Sequence, residues 1–182
     1  MVAFVRTNPW LHGFAFAVAV GGFAAGWTLA EPLEGVVTTS IAARIDGIVP
    51  PIAALDFATN NWVVAVSTAF AGIAVAVPVV ATLVFNGLVF GIYARTEAAP
   101  LELLAFVTPH GLIEIPALVI AGALGLSLGV AGWRTFRKRA SADDLADELR
   151  RAFWVLVGIG ILLAVAGVIE GFFSPFYWRP FL

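Results

Sequence analysis

Between Asp56 and Arg95 the chain runs for 38 residues without a charge. One membrane-crossing helix takes about 20 residues, so this run is too long for a single span and about right for two with a turn between them. In lipid every backbone N–H and C=O must find its partner within the chain, which leaves helices or a closed barrel. The rest of the chain points to helices. Hydrophobic residues are 61% of the 182, charged residues are 12%, and the mean hydropathy is +0.98. A soluble domain carries about a quarter charged residues, so this composition belongs to an integral membrane protein. No polar stretch is long enough for a separate soluble domain, and residues 1–182 read as one membrane domain.

The predicted fold is an all-α, polytopic transmembrane helix bundle. It has about five spans, near 10–30, 57–77, 79–93, 108–133 and 153–173, with short amphipathic surface helices between them. The apolar run in the first span is too long for a signal-peptide core, so this helix is expected to stay in the mature chain. The 38-residue run reads as a hairpin of two short helices broken at Pro78. A bent single helix or a re-entrant segment is the alternative, and a single crossing there would give four spans and place the N-terminus on the other side. Residues 40–48 look like an amphipathic helix lying on the membrane surface, and 97–107 like a second surface segment. Thr108 suits an N-cap and Pro109 the first helical position of the fourth span. Ser141-Ala142-Asp143-Asp144 reads as a capping box, with Asp147 and Arg151 as an i,i+4 pair. The aromatic tail 176–179 reads as an interfacial anchor.

Six of the ten basic residues (Arg134, Arg137, Lys138, Arg139, Arg150 and Arg151) fall between 134 and 151. Short basic loops are cytoplasmic, so the C-terminus is expected outside and the multi-pass chain in the cell membrane. The loop's charges read as a solvated segment. The net charge of −2 suggests no nucleic-acid partner, and the absence of Cys removes disulfides and thiolate metal sites.

Polar residues then collect towards the outer face. His110 and Glu114 are four apart and share one helix face. Glu170 lies 19 residues beyond Arg151, roughly 28 Å of helix, which brings it to the same level. Asn60 and Asn61 open the second span from that side, and Asn86 lies deeper. The bland reading of His110 is an interfacial residue, and the next is a hydrogen bond locking helices together. The sharper one is a divalent metal such as zinc held by His110, Glu114 and Glu170. Glu114 lies deep enough to need a partner, with His110 and with Glu170 or Asn60 as candidates, and the two carboxylates would share a proton or a cation. Asn60-Asn61 reads first as a helix cap. Asn86, with Gly87 and Gly91, reads as glue between helices. His12 belongs to the opposite, cytoplasmic end. No phosphate-binding loop, nucleophile elbow or His-Glu-x-x-His motif is present, so motif evidence favours a non-enzymatic role. Gly125 and Gly129 form a small-residue face that suggests a homodimer.

Phe57-Ala58-Thr59-Asn60-Asn61, Asn86-Gly87-Leu88-Val89-Phe90-Gly91, Pro109-His110-Gly111-Leu112-Ile113-Glu114 with Pro116-Ala117, and Glu170 ahead of Ser174-Pro175 resemble the stage II sporulation protein M family. The likeness covers 57–175, and the His-Gly-x-x-Glu element is its most specific part. It implies a small polytopic membrane protein. Founding members act in forespore engulfment as membrane partners of peptidoglycan-degrading proteins, though relatives are widespread in organisms that do not sporulate. The resulting expectation is a membrane scaffold or complex subunit, with membrane or cell-envelope proteins as partners. The alternative is a metal-dependent membrane enzyme or transporter built on His110, Glu114 and Glu170.

Overall fold

The computed structural model describes residues 1–32, 50–73, 76–96 and 100–173, and these are helical almost throughout. A short α1 (Val2–Thr7) leads into α2 (Pro9–Thr28), followed by α3 (Pro50–Ala71), α4 (Ala76–Thr96), α5 (Pro100–Phe136) and α6 (Ala142–Val168). A π-helical turn, Ile169–Phe173, closes the described chain. Four of the helices, α2, α4, α5 and α6, contain segments long and apolar enough to cross a membrane. The fifth, α3, is 22 residues long and packs alongside them. The surface helix expected at 40–48 and the tail at 176–179 lie outside the described residues.

Glycine sets the packing. Without side chains at the crossing points, backbones approach closely and van der Waals contact replaces the hydrophobic drive that lipid cannot supply. Gly22 and Gly26 of α2 meet the backbone of Val84 and Leu88, while Gly87 and Gly91 of α4 meet that of Ala19 and Phe23. Residue numbers rise together across this contact, so α2 and α4 run parallel. Gly125 and Gly129 of α5 sit against Thr68 and Gly72 at the end of α3, again in parallel. Trp62 and Ala54 of α3 pack at Gly160 and Gly167 of α6, and Leu83 and Val79 of α4 at Gly122 and Gly125, both in antiparallel order. Helices α2, α4 and α6 therefore run one way and α3 and α5 the other. The N-terminus shares one end of the bundle with the basic turn after α5, and the π turn lies at the opposite end. These are called the basic end and the polar end.

Several expectations need correction. The hairpin breaks at Gly72-Ile73, not at Pro78: α3 stops at Ala71, and Pro78 sits in the first turn of α4, where a missing N–H leaves nothing unpaired. A Cβ at Gly72 would run into the backbone of Gly125, so only glycine lets the chain turn this close to α5. The apolar stretch of the fourth span does start near Thr108, at Val107, but the helix that carries it does not begin there. Helix α5 starts at Pro100 and carries Pro109 and Pro116 in its interior. Pro100 takes the first-turn place expected for Pro109, and membrane helices tolerate interior prolines. The face expected to mediate a homodimer, Gly125 and Gly129, is used inside the chain by α3.

The basic end is tightly specified. Two residues past the end of α5, Lys138 lies in the left-handed region (φ 55°), and the N–H of Arg139 donates to Arg134 O at 2.8 Å. Three residues on, Ser141 Oγ accepts from the Asp144 N–H at 3.1 Å while Asp144 accepts from the Ser141 N–H at 2.8 Å, a complete capping box. Asp147 pairs with Arg150 rather than with Arg151. Arg151 instead pairs with Glu148, which is only 7% exposed.

Candidate functional site at the polar end

His110 and Glu114 lie one turn apart on α5. The imidazole is buried at 6% exposure, and Glu114 is half-buried. Glu170 arrives from α6 on the π turn Ile169–Phe173, a distortion of the helical register that recurs at functional sites. One ligating atom from each of the three residues lies within 4.8 Å of the other two.

A third helix completes the site. Asn61 Nδ2 donates to Glu114 Oε1 at 2.6 Å, which ties α3 to α5 and fixes one oxygen of that carboxylate. The tie depends on how closely α3 lies to the π turn. A Cβ added to Gly171 would fall 2.6 Å from Ala54 N, and one added to Gly167 would fall 2.7 Å from Ala54 O. Glycine at 167 and 171 therefore brings α3 in and sets Asn61 at the level of Glu114.

Of the other residues singled out in the sequence, Asn60 neighbours Asn61 on α3 and is exposed. Asn86 gives its amide N–H to Thr82 O of its own helix at 2.8 Å, so its hydrogen bond runs within α4 and not between helices. Gly87 and Gly91 still bring α4 against α2. His12, in the first turn of α2 at the basic end, has Nδ1 2.7 Å from Asn8 O and its ring edge-on to Phe4.

A third carboxylate inside the bundle, Glu148, lies in the segment expected to be a solvated loop. It accepts from Ser127 Oγ of α5 at 2.7 Å and pairs with Arg151. A periodic signal for it does exist. Ala152, Val155, Ile159, Leu163 and Ala166 form the buried stripe of α6, and one turn back along it stands Glu148. Among the described residues, neither Glu114 nor Glu170 has a comparable Arg or Lys partner.

The arrangement offers one imidazole nitrogen and two carboxylates, gathered from two helices and steadied by an amide from a third. Such a set can hold a cation or share a proton, and it supplies nitrogen and oxygen donors only. No curated protein and no solved structure matches the chain. The model of one protein family does, described as stage II sporulation protein M and matched over residues 15–175. That range takes in α3 to α6 whole, α2 from residue 15 onward, and Asn61, His110, Glu114 and Glu170, and the chain belongs to the stage II sporulation protein M family.

Proposed function

We propose that this chain is a non-enzymatic membrane scaffold or complex subunit of its family's type, organising partner proteins at the cell membrane. The observation that carries the reading is on α2. Nearly every glycine inside the long helices packs against a neighbouring element, but a Cβ at Gly13 or Gly21 would meet nothing within 4 Å. With Ala17 these residues make an exposed small-xxx-small stripe on the outside of the bundle, flanked by Phe14, Phe16 and Val20. A second copy of the chain is the occupant assigned to it, stripe against stripe about a two-fold axis, because a stripe of small residues is complementary to itself. A dimer would present two sets of partner-binding surfaces from a protein with little chain outside the membrane.

By the positive-inside rule the basic turn would be cytoplasmic. With five helices alternating in direction, the N-terminus would be cytoplasmic and the polar end would face outward.

The chain has no Cys, so Ala17→Cys introduces a single thiol on the stripe. Oxidation in native membranes should give a disulfide-linked dimer, while Val157→Cys on the exposed face of α6 gives none. Equal cross-linking at both positions, or none at Ala17→Cys, would remove the basis of the scaffold reading. A second reading, a metal-dependent membrane enzyme or transporter at the outer face, draws on the His110–Glu114–Glu170 cluster and requires first that the cluster bind a metal.

A further inference from the structure

We propose that His110, Glu114 and Glu170 form a divalent-cation site, with zinc the best-suited ion and Asn61 as the residue that orients Glu114. The inference does not rest on the scaffold reading, because zinc content and cross-linking on α2 are separate measurements.

Charge is the first argument. Two carboxylates beside one another in the membrane region repel, and each is costly there without a compensating charge. The basic end shows what compensation looks like: Glu148 has Arg151 and the Ser127 hydroxyl. Among the described residues the polar end brings an imidazole and an amide to its two carboxylates, and no Lys or Arg. A dication balances two carboxylates and needs a neutral imidazole as its third ligand.

Geometry is the second. The three ligating atoms lie within 4.8 Å of one another, whereas ligands on one tetrahedral ion sit roughly 3.4 Å apart at bond lengths of about 2.1 Å. The difference is at most about 1.4 Å, a distance on the scale of side-chain rotation. The Asn61 hydrogen bond engages Oε1 of Glu114 and leaves Oε2 for the ion. An outer partner that fixes one oxygen in this way is a common feature of metal sites. Three protein ligands leave a fourth position for water or a ligand oxygen, in the pattern of open rather than structural zinc sites. The donors exclude ions that demand thiolate and suit zinc, manganese, cobalt or ferrous iron.

The test uses untagged full-length protein in mild detergent, stripped with a chelator, incubated with zinc chloride and desalted. Metal content should be about one zinc per chain. It should fall to the blank in His110→Ala and in Glu170→Gln, the second of which is nearly isosteric and guards against a folding defect. Asn61→Leu should weaken binding by about 10- to 100-fold. His12→Ala, which removes the other histidine of the chain, should leave the stoichiometry unchanged. The proposal fails if folded wild-type protein binds none of zinc, manganese, cobalt or ferrous iron stoichiometrically. It fails equally if zinc remains bound in folded Glu170→Gln, or is lost in His12→Ala.

Discussion

The two ends of the bundle bury carboxylates between the same pair of helices, α5 and α6, but resolve the cost differently. At the basic end, Glu148 is matched by the Arg151 guanidinium and by Ser127 Oγ. Arg151 itself reaches water through an open cleft of about 520 Å³ lined also by Arg134, Arg139 and Asp144. Glu148 is thus paired by residues of its own end. At the polar end, Glu114 and Glu170 lie together with His110 and Asn61. Glu148 is buried and Glu114 and Glu170 are half-buried, and it is the neighbours that differ in kind. An acid with its own cation holds helices together, whereas the two acids at the polar end have no Arg or Lys partner among the described residues, which is the ground of the proposed cation site.

The contrast can be broken most forcefully through the glycines that set each end. Gly171→Leu would drive a side chain into the backbone at Ala54 and should cost about 3 kcal/mol by overpacking. Gly132→Leu at the basic end meets one carbonyl, that of Ile73, at 3.0 Å and should cost about 1 kcal/mol. Thermal unfolding in detergent should rank the two in that order. The reverse order would mean that α3 is not held at the π turn as described.

Neutralising one acid at each end sharpens the comparison, because the signs should differ. Glu148→Gln removes the charge that Arg151 answers and should destabilise by about 1 kcal/mol, a modest figure because Arg151 is half exposed. Glu170→Gln removes one of two like charges and should stabilise the metal-free protein by about 1 kcal/mol. Loss of stability in both variants would show that the polar end, too, is complete without a cation.

The smallest effect belongs to local helix chemistry at the basic end. Ser141→Ala removes the side-chain half of the capping box and should cost about 1 kcal/mol or less. Near-UV and metal-binding behaviour of the polar end should not change, since the cap lies at the far end of α6.

Much of this was legible in the sequence, for reasons that differ from place to place. The uncharged run from Asp56 to Arg95 favoured two helices over one bent crossing, since the rise per residue makes it long for a single span. The four-residue spacing of His110 and Glu114, with Glu170 counted up from Arg151, set all three at one level of the membrane. The hairpin break was not legible. Pro78 is the stronger breaker by propensity, but Gly72 lies where α3 must pass against Gly125, and that contact is tertiary. Pro109 misled for a related reason: a first-turn proline and an interior one look alike until the residues before them are known to be helical. Glu148 was hidden because acids in a basic loop read as solvated, even though the stripe of α6 runs through it. Which glycines face a neighbour and which face outward could not be told, because Gly13 and Gly125 carry the same chemistry and differ only in what lies opposite.

The most direct test of the contrast between the ends is the melting temperature of three proteins in detergent, wild type, Glu148→Gln and Glu170→Gln, each with and without zinc at 100 times its measured dissociation constant. Binding to the folded state alone stabilises by about 2.7 kcal/mol at that ratio. Zinc should raise the melting temperature of wild type and of Glu148→Gln by the same amount and leave Glu170→Gln unmoved. A zinc shift in Glu170→Gln equal to that in wild type would contradict the account.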